Sequence, residues 1–518
     1  MSNITLHTFN RLLGRAFMAA LIVGISSTTA LMQTAETVRV TFLHLNDTYQ
    51  FTAVDGGKRG GLARVMTIRK QTLKDNPNTL MTLGGDTVSP SVETRTYRGR
   101  QMIDAWNKIG LDYSVFGNHE FDIKTQELLD RIKESNFAWL GTNVIDTRTG
   151  KTFADLPPFI IREIGGVKIG IFGLLLPETK QTSSMEADLN VVDYCGSARD
   201  AIAKMRAAGA NTIIGLTHMF MAQDKELARC APGIDLILGG HEHTLLQSSS
   251  AGVPIFKMWA DAREVGRFDL FIDKRTGKVQ SLDWQIIPVT DAIPEDPDFA
   301  PVAAKYKDLL DMLETRVGAS AVPLDALSYS VRSKETDIGN FIADAYRKAV
   351  GADIGFVNGG SIRADLSYNP GPLTKRDVLS MLPFNNPIVK IEVTGKLLIE
   401  MLEHGVARSG VGEENEPGRF PQVSGMCFKF DPRKPAGSRV SDICVGGEPL
   451  DPNKTYTVAT SDFLVSRGGD GYTMLKNGKV LIDAQNAPKD SDVFEQAIRN
   501  SPNSTISPKV EGRIVRIN

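Results

Sequence analysis

Five short apolar runs in the first half of the chain each stop at a cluster of polar residues. They are FLHLND (42–47), LMTLGGD (80–86), SVFGNHE (114–120), IIGLTH (213–218) and LILGGHEH (236–243). Each is of strand length, and the polar group begins where the apolar pattern ends. Between them, apolar positions recur at helical spacing over 99–109, 124–135 and 197–207. Strands alternating with helices over residues 36–290 predict a layered α/β domain, in which sites form where parallel strands end. The stretch DAIPEDPDFAPVAAKYKDLLDMLETRVG opens on proline turns and then places Val302, Tyr306, Leu309, Leu310 and Leu313 on one helical face. It predicts a connecting helix over 291–320. A second set of strands and helices, rich in Gly and Asn, fills 321–518 as a further domain. Within it, 395–404 reads as a helix. No internal repeat or low-complexity tract stands out.

The N-terminus has another pattern. Arg11 and Arg15 precede an apolar stretch over 16–25, and small residues follow to Ala30. This is the layout of an export signal, with cleavage after Ala30 or Ala35, so residues 1–35 are read as a signal peptide. Its apolar core is shorter than the ~20 residues a spanning helix needs, and no other segment could span. The expected location is periplasmic or secreted. The four cysteines fit an oxidising compartment. Cys427 and Cys444 flank two strand-like segments joined by a Pro-Ala-Gly-Ser turn, which predicts a disulfide; the pairing of Cys195 with Cys230 is less constrained by the sequence.

Composition narrows the function classes. A formal net charge of −2 over 518 residues, without long like-charged runs, speaks against a nucleic-acid polymer as partner. A small anionic substrate stays open, because a few placed Arg residues can hold one. Of seven His, four (His119, His218, His241, His243) fall in the strand-end clusters. With Asp47, Asp86 and Asn118, the last three form a mixed nitrogen and oxygen set that suits Zn, Mn, Co or Fe better than Ca or Mg. Six candidate ligands, Asp47, Asp86, Asn118, His218, His241 and His243, are too many for one tetrahedral site. They are about right for two divalent ions sharing a carboxylate. The pattern points to a metal-dependent hydrolase. His44, inside the first strand, reads as packed; His404 reads as a surface or capping residue.

GGD, GNHE and GGHEH, with the first strand ending at Asp47, resemble the calcineurin-like metallophosphoesterases. ETDIGN (335–340), NGGSIR (358–363), LPFNN (382–386) and SRGGDGY (466–472) resemble, in order, the C-terminal domain of the 5′-nucleotidase family, of which periplasmic UDP-sugar hydrolase and ecto-5′-nucleotidase are members. The resemblance implies a four-layer αββα metallophosphoesterase sandwich joined by a helix to an α+β nucleotide-binding domain. It implies a hydrolase of phosphoric esters that releases phosphate from nucleoside 5′-phosphates, and from di-, tri- or sugar nucleotides, by attack of a metal-activated water. Asp86 would bridge the ions, with Asp47 and His243 on one and Asn118, His218 and His241 on the other. His119 would stabilise the transition state and Asp122 would orient it. Arg332 and Arg363 would hold phosphate oxygens, and Phe384 and Phe463 would sandwich the base. Asp470 would accept from ribose hydroxyls, and Asn358 and Asn386 would face the nucleoside. With metals on one domain and nucleoside on the other, domain rotation is expected to accompany turnover.

Three departures from the family pattern matter. The usual Asp-x-His of the first motif is here Asp47-Thr48-Tyr49, which leaves Tyr49 as a metal ligand, or as a residue packed beside the site. The last motif is His241-Glu242-His243, with a second His where Asn or Gln is common, so an imidazole lost at one strand end is regained at another. The segment after Phe463 is one residue longer and carries Arg467, which makes the stacking register less defined. Two alternatives accompany the leading reading: a related dimetal hydrolase, such as a 2′,3′-cyclic-nucleotide phosphodiesterase or a thiosulfohydrolase, and a non-catalytic nucleotide-binding protein. Oligomeric state is not legible in the sequence.

Overall fold

The structure is a computed structural model describing residues 36–410 and 418–517. The expected signal peptide, with His7, lies outside the described residues.

Two six-stranded sheets dominate the first half. One runs in the order Val279–Pro288, Glu264–Asp273, Thr37–Leu45, Thr79–Leu83, Tyr113–Val115, Ala138–Leu140. The other runs Leu246–Ser250, Val253–Lys257, Leu236–Gly240, Thr212–His218, Val167–Leu175, Phe159–Ile164. The strands that carry the expected site residues pair in parallel within each sheet, so their C-terminal ends lie side by side.

The period of two explains the layering. In the first strand Val40 and Phe42 join Leu80, Val115, Ile169, Ile171, Leu216, Leu238 and Phe268 in a core shared by the two sheets. Leu43 and Leu45 point the other way, into a second core with Met81, Leu83, Val65, Met102 and Trp106, the last three from covering helices. Both sheets are thus covered on both faces, as the four-layer expectation requires.

The helices match the expected ones closely, at Arg100–Ile109, Thr125–Glu134 and Tyr194–Ala207. The last starts earlier than its periodicity suggested because the Asp193 carboxylate caps the amides of Cys195 and Gly196. The connecting helix is not continuous. It breaks into Ala300–Lys305 and Lys307–Leu313 at Tyr306, whose ring packs 4.8 Å from that of Tyr97 and whose hydroxyl bonds Asp104.

The second half is built on a five-stranded mixed sheet, ordered Pro421–Ser424, Ile354–Asn358, Thr455–Ser461, Ile388–Thr394, Lys479–Ile482. Helices Asp337–Val350, Gly395–Val406 and Asp490–Arg499 accompany it. A smaller sheet pairs Met426–Phe430 with Val440–Val445 and sets Cys427 opposite Cys444, which are disulfide-bonded. Cys195 and Cys230 are also joined.

Candidate active site

Glycine lets the two sheets meet. A Cβ on Gly240 would lie 2.2 Å from the carbonyl oxygen of Gly84, and one on Gly117 would lie 2.1 Å from Oδ1 of Asp86. No side chain fits at either place. The turns that follow the strands hold Asp47, Asp86 and His241 at positive φ, of 48°, 56° and 87°. L-residues rarely adopt that region, and such strain is typical of residues aimed by a site.

Asp47, Asp86 and His218 each offer a donor atom within 4.8 Å of one another, all buried. Around His218 Nε2 lie Asn118 Oδ1 at 3.1 Å, His241 Nδ1 at 3.3 Å and Asp86 Oδ2 at 3.3 Å. On the other side of Asp86, Oδ2 is 3.2 Å from the Tyr49 hydroxyl, which is 3.2 Å from Asp47 Oδ1 and 2.9 Å from His243 Nε2; those two are 3.4 Å apart. Ligands bonded at roughly 2.0–2.2 Å lie about 2.8–3.6 Å from one another in tetrahedral or octahedral spheres. Both groups of atoms have that spacing, and they share one oxygen. The residues therefore fit divalent metal binding at this cluster.

The supporting contacts fix which atoms are offered. Nδ1 of His218 is 2.7 Å from the Gly84 carbonyl, so the ring donates there and turns Nε2 to the cluster. The other oxygen of Asp47 accepts from Asn46 Nδ2 at 2.8 Å and from the His241 amide at 2.9 Å. Oδ1 of Asp86 accepts from the His119 amide at 2.8 Å. Burial opposes the charge of Asp86, yet the neighbouring His218 and His119 keep its carboxyl below the usual range. Burial likewise pulls His218 down, but Asp86 and Asp47 raise it to about 9.

His119 begins at this cluster and faces the cleft. Its Nδ1 is 2.7 Å from Asp122 Oδ2, which also accepts from Ser89. Its ring lies 5.7 Å from that of Phe384, a residue of the second half. The same cleft, about 210 Å³, is lined by Arg332, Asn358, Arg363, Asn386, Phe463 and Asp470. Arg363 reaches furthest, with Nη2 2.9 Å from the Tyr49 hydroxyl and 3.4 Å from His243 Nε2. Asp470 accepts from Asn358 at 2.6 Å, and burial raises its carboxyl. Despite the longer segment, Phe463 is set against Gly469, where any Cβ would overlap its ring.

A calcineurin-like phosphoesterase family model matches residues 40–245, and a model of the 5′-nucleotidase C-terminal domain matches residues 316–477. The chain belongs to the 5′-nucleotidase family. It is accordingly a hydrolase of phosphoric ester bonds. Similar family members include bovine 5′-nucleotidase, 29% identical over an alignment covering 92% of this chain and 90% of that one. The trifunctional nucleotide phosphoesterase protein YfkN of Bacillus subtilis is 31% identical over 92% of this chain; the chain spans 35% of YfkN's length. Among solved structures, a 5′-nucleotidase precursor from Thermus thermophilus superimposes with a TM-score of 0.86 at 29% identity, covering 93% of this chain and 100% of that one. The sulfate thiohydrolase SoxB of Thermus thermophilus shares the fold, with a TM-score of 0.78 at 20% identity over 92% and 96% of the two chains.

The structure places every residue the sequence nominated at the cluster or along the cleft. Three contributors went unnoticed. Glu120 accepts from the amides of Asp86, Thr87, Val88 and Gly117 and so clamps the GGD turn to the GNHE turn; burial pushes its carboxyl up to about 7. Lys257, fully buried, joins Asp224 at 2.9 Å, the Met219 carbonyl and Glu242. Glu242 accepts the Met221 amide at 2.6 Å. Glu120 stands inside GNHE, which was a signal; Lys257 has none. His44 is packed as expected, 2.9 Å from Thr82 Oγ1 and 3.0 Å from the Gly239 carbonyl. His404, half-buried in the last turn of its helix, does more than cap it: Nε2 is 2.8 Å from the Asp470 carbonyl and its ring packs on Tyr472, beneath the GGDG turn.

Proposed function

We propose that the protein is an exported, metal-dependent nucleotide phosphohydrolase that converts nucleoside 5′-phosphates to nucleoside and phosphate. One observation carries the reading: two ligand groups sharing Asp86 Oδ2 open into the cleft that holds Phe384, Phe463, Asp470 and Arg363. Asp47, Tyr49, Asp86 and His243 would surround one ion, and Asp86, Asn118, His218 and His241 the other. Divalent ions there supply Lewis-acid polarisation of the phosphoryl group and an ionised water at neutral pH. Asp122 holds His119 through Nδ1, so His119 addresses the phosphoryl or leaving oxygen through Nε2. Arg332 and Arg363 neutralise the phosphate; Phe384 and Phe463 stack on the base with little discrimination between bases. Asn358 and Asn386 border the nucleoside, and the Asp470 carboxylate, steadied by Asn358, accepts from the ribose.

Export is supported by the two disulfides, which persist in oxidising compartments. No described helix is long and apolar enough to cross a membrane.

The test is product release from AMP, ATP, UDP-glucose, 2′,3′-cyclic AMP and p-nitrophenyl phosphate, with Mn²⁺, Co²⁺ or Zn²⁺ and with chelator. Metal-dependent turnover preferring the 5′-nucleotides is expected. Preference for the cyclic ester would replace the proposed substrate. Nucleotide binding without turnover under any metal would convert the reading to a binding protein.

A further inference from the structure

Stacking between Phe384 and Phe463 would leave the edge of a base unread, so selection among bases falls to the polar groups along that edge. From the N-terminal half, Ser91, Thr94 and Arg95 share the cleft lining with Phe384 and Asn386. The two hydroxyls are engaged: Ser91 Oγ is 2.9 Å from Thr94 Oγ1, which donates to the Val88 carbonyl at 2.5 Å. Arg95 is not. Among the described residues it makes no ion pair and one hydrogen bond, from Nη1 to Ser491 Oγ at 3.2 Å. That contact fixes its place. Ser491 Oγ lies 3.4 Å from Asn385 Oδ1, and the amide of Asp490 donates to the Asn386 carbonyl at 2.9 Å, so Arg95 borders the segment that carries Phe384. A link to a serine needs only a neutral donor, yet here burial works against a guanidinium, with Asp490 and Asp492 attracting it from beyond contact. A half-buried cation with idle N–H groups gains from an acceptor that arrives with the substrate.

We infer that Arg95 selects the base, and that the preferred substrates are 6-oxopurine nucleotides, those of guanine and hypoxanthine, over those of adenine. The assignment rests on the nucleotidase reading above and narrows its substrate class. Its logic is donors and acceptors. Guanine and hypoxanthine present N7 and O6 side by side, both acceptors, and a guanidinium fork donates to the two together. Adenine puts its N6 amine where O6 would be, so donor faces donor and an N–H of the arginine goes unpaired. Asn386 cannot make that choice, because its amide offers a donor and an acceptor and turns to suit either base. Arginine has donors only. Arg98 also lines the cleft, but it is paired with Glu127 at 3.4 Å.

The decisive measurement compares kcat/KM for GMP, IMP and AMP in the full-length protein, loaded with whichever of Mn²⁺, Co²⁺ or Zn²⁺ supports turnover. GMP and IMP should lead AMP by roughly 10–100-fold, the discrimination of a bidentate arginine contact. Arg95→Gln keeps a donor for Ser491 and adds an acceptor. It should raise kcat/KM for AMP and lower it for GMP, chiefly through KM, until the two are within a few-fold. The same contact is tested from the substrate side, without altering the protein, by 7-deaza-GMP. Loss of the N7 acceptor should cost the wild type about tenfold and Arg95→Gln little. Equal turnover of GMP and AMP by the wild type, a lead for AMP, or a GMP-to-AMP ratio unchanged in Arg95→Gln overturns the inference and leaves nucleotide hydrolysis intact. So does 7-deaza-GMP turned over by the wild type as fast as GMP. No turnover of any nucleotide with any of these metals overturns both.

Discussion

His119 and Asp122 are three residues apart on a single short turn, and their 2.7 Å contact ties the orientation of the imidazole to one carboxylate. Neither belongs to the two groups of candidate metal ligands, so their effects separate from metal binding. His119→Ala should lower kcat by about 10²–10⁴, the range for a positioned acid or base, with metal content unchanged. Asp122→Asn leaves the ring in place without its charged anchor, and a drop of roughly 10–100-fold is expected. Metal analysis beside steady-state rates checks both, and a parallel loss of metal from either variant would assign the pair to ion retention. The residue scale is also where the sequence was most legible. Asp47, Asp86, Asn118, His218, His241 and His243 stand out because each ends an apolar run, and strand ends converge by construction. Tyr49 was legible only as a departure from a pattern; what its oxygen faces required coordinates.

Elements bring in partners that no local pattern announces. Strand Val253–Lys257 ends in a lysine that would be solvated if the strand lay at a surface. Instead it crosses Gly239, whose Cβ would meet Lys257 Cε at 3.0 Å, and ends between Asp224 and Glu242. Burial works against its charge, but the two carboxylates hold the lysine above its ordinary pKa. Through Glu242 and the Met219 carbonyl this one cation fastens the His241–His243 turn to the end of the His218 strand. Lys257→Met strands two buried carboxylates, so unfolding should become easier by about 3–5 kcal/mol, read from the denaturant midpoint. Metal affinity should fall roughly 10–100-fold because the turn is released. Stability lost without any change in metal affinity would make Lys257 a core residue only. The connecting helix teaches the same lesson: its apolar spacing was right for Val302, Tyr306, Leu309 and Leu313, all buried, yet the helix is interrupted at Tyr306, whose hydroxyl bonds Asp104. Periodicity reports which residues are buried and is silent on where the helix stops.

At the scale of the molecule, the two halves meet through side chains neither could have revealed alone. Arg95, from helix Val92–Tyr97, donates to Ser491 at 3.2 Å, at the start of helix Asp490–Arg499. Beside Ser491, Asp490 is 1% exposed, and burial pushes its carboxyl up to about 7 against the opposing influence of two backbone amides, Arg95 and Lys489. Tyr346, from helix Asp337–Val350, faces it with a phenol that burial and Asp490 raise well above the ordinary value. The sign follows from linkage. The folded state holds this proton to a higher pH than the unfolded chain, whose aspartate titrates near 3.9. Between about pH 4 and pH 7 the folded state therefore binds more protons, and this group's contribution to stability falls as pH rises. Asp490→Asn cannot ionise and escapes that fall. Thermal melts of the two proteins should converge near pH 4, with the variant progressively the more stable towards pH 7. Parallel curves over that window would show that Arg95 and the amides already stabilise the carboxylate, and would make the contact between the halves a standing ion pair.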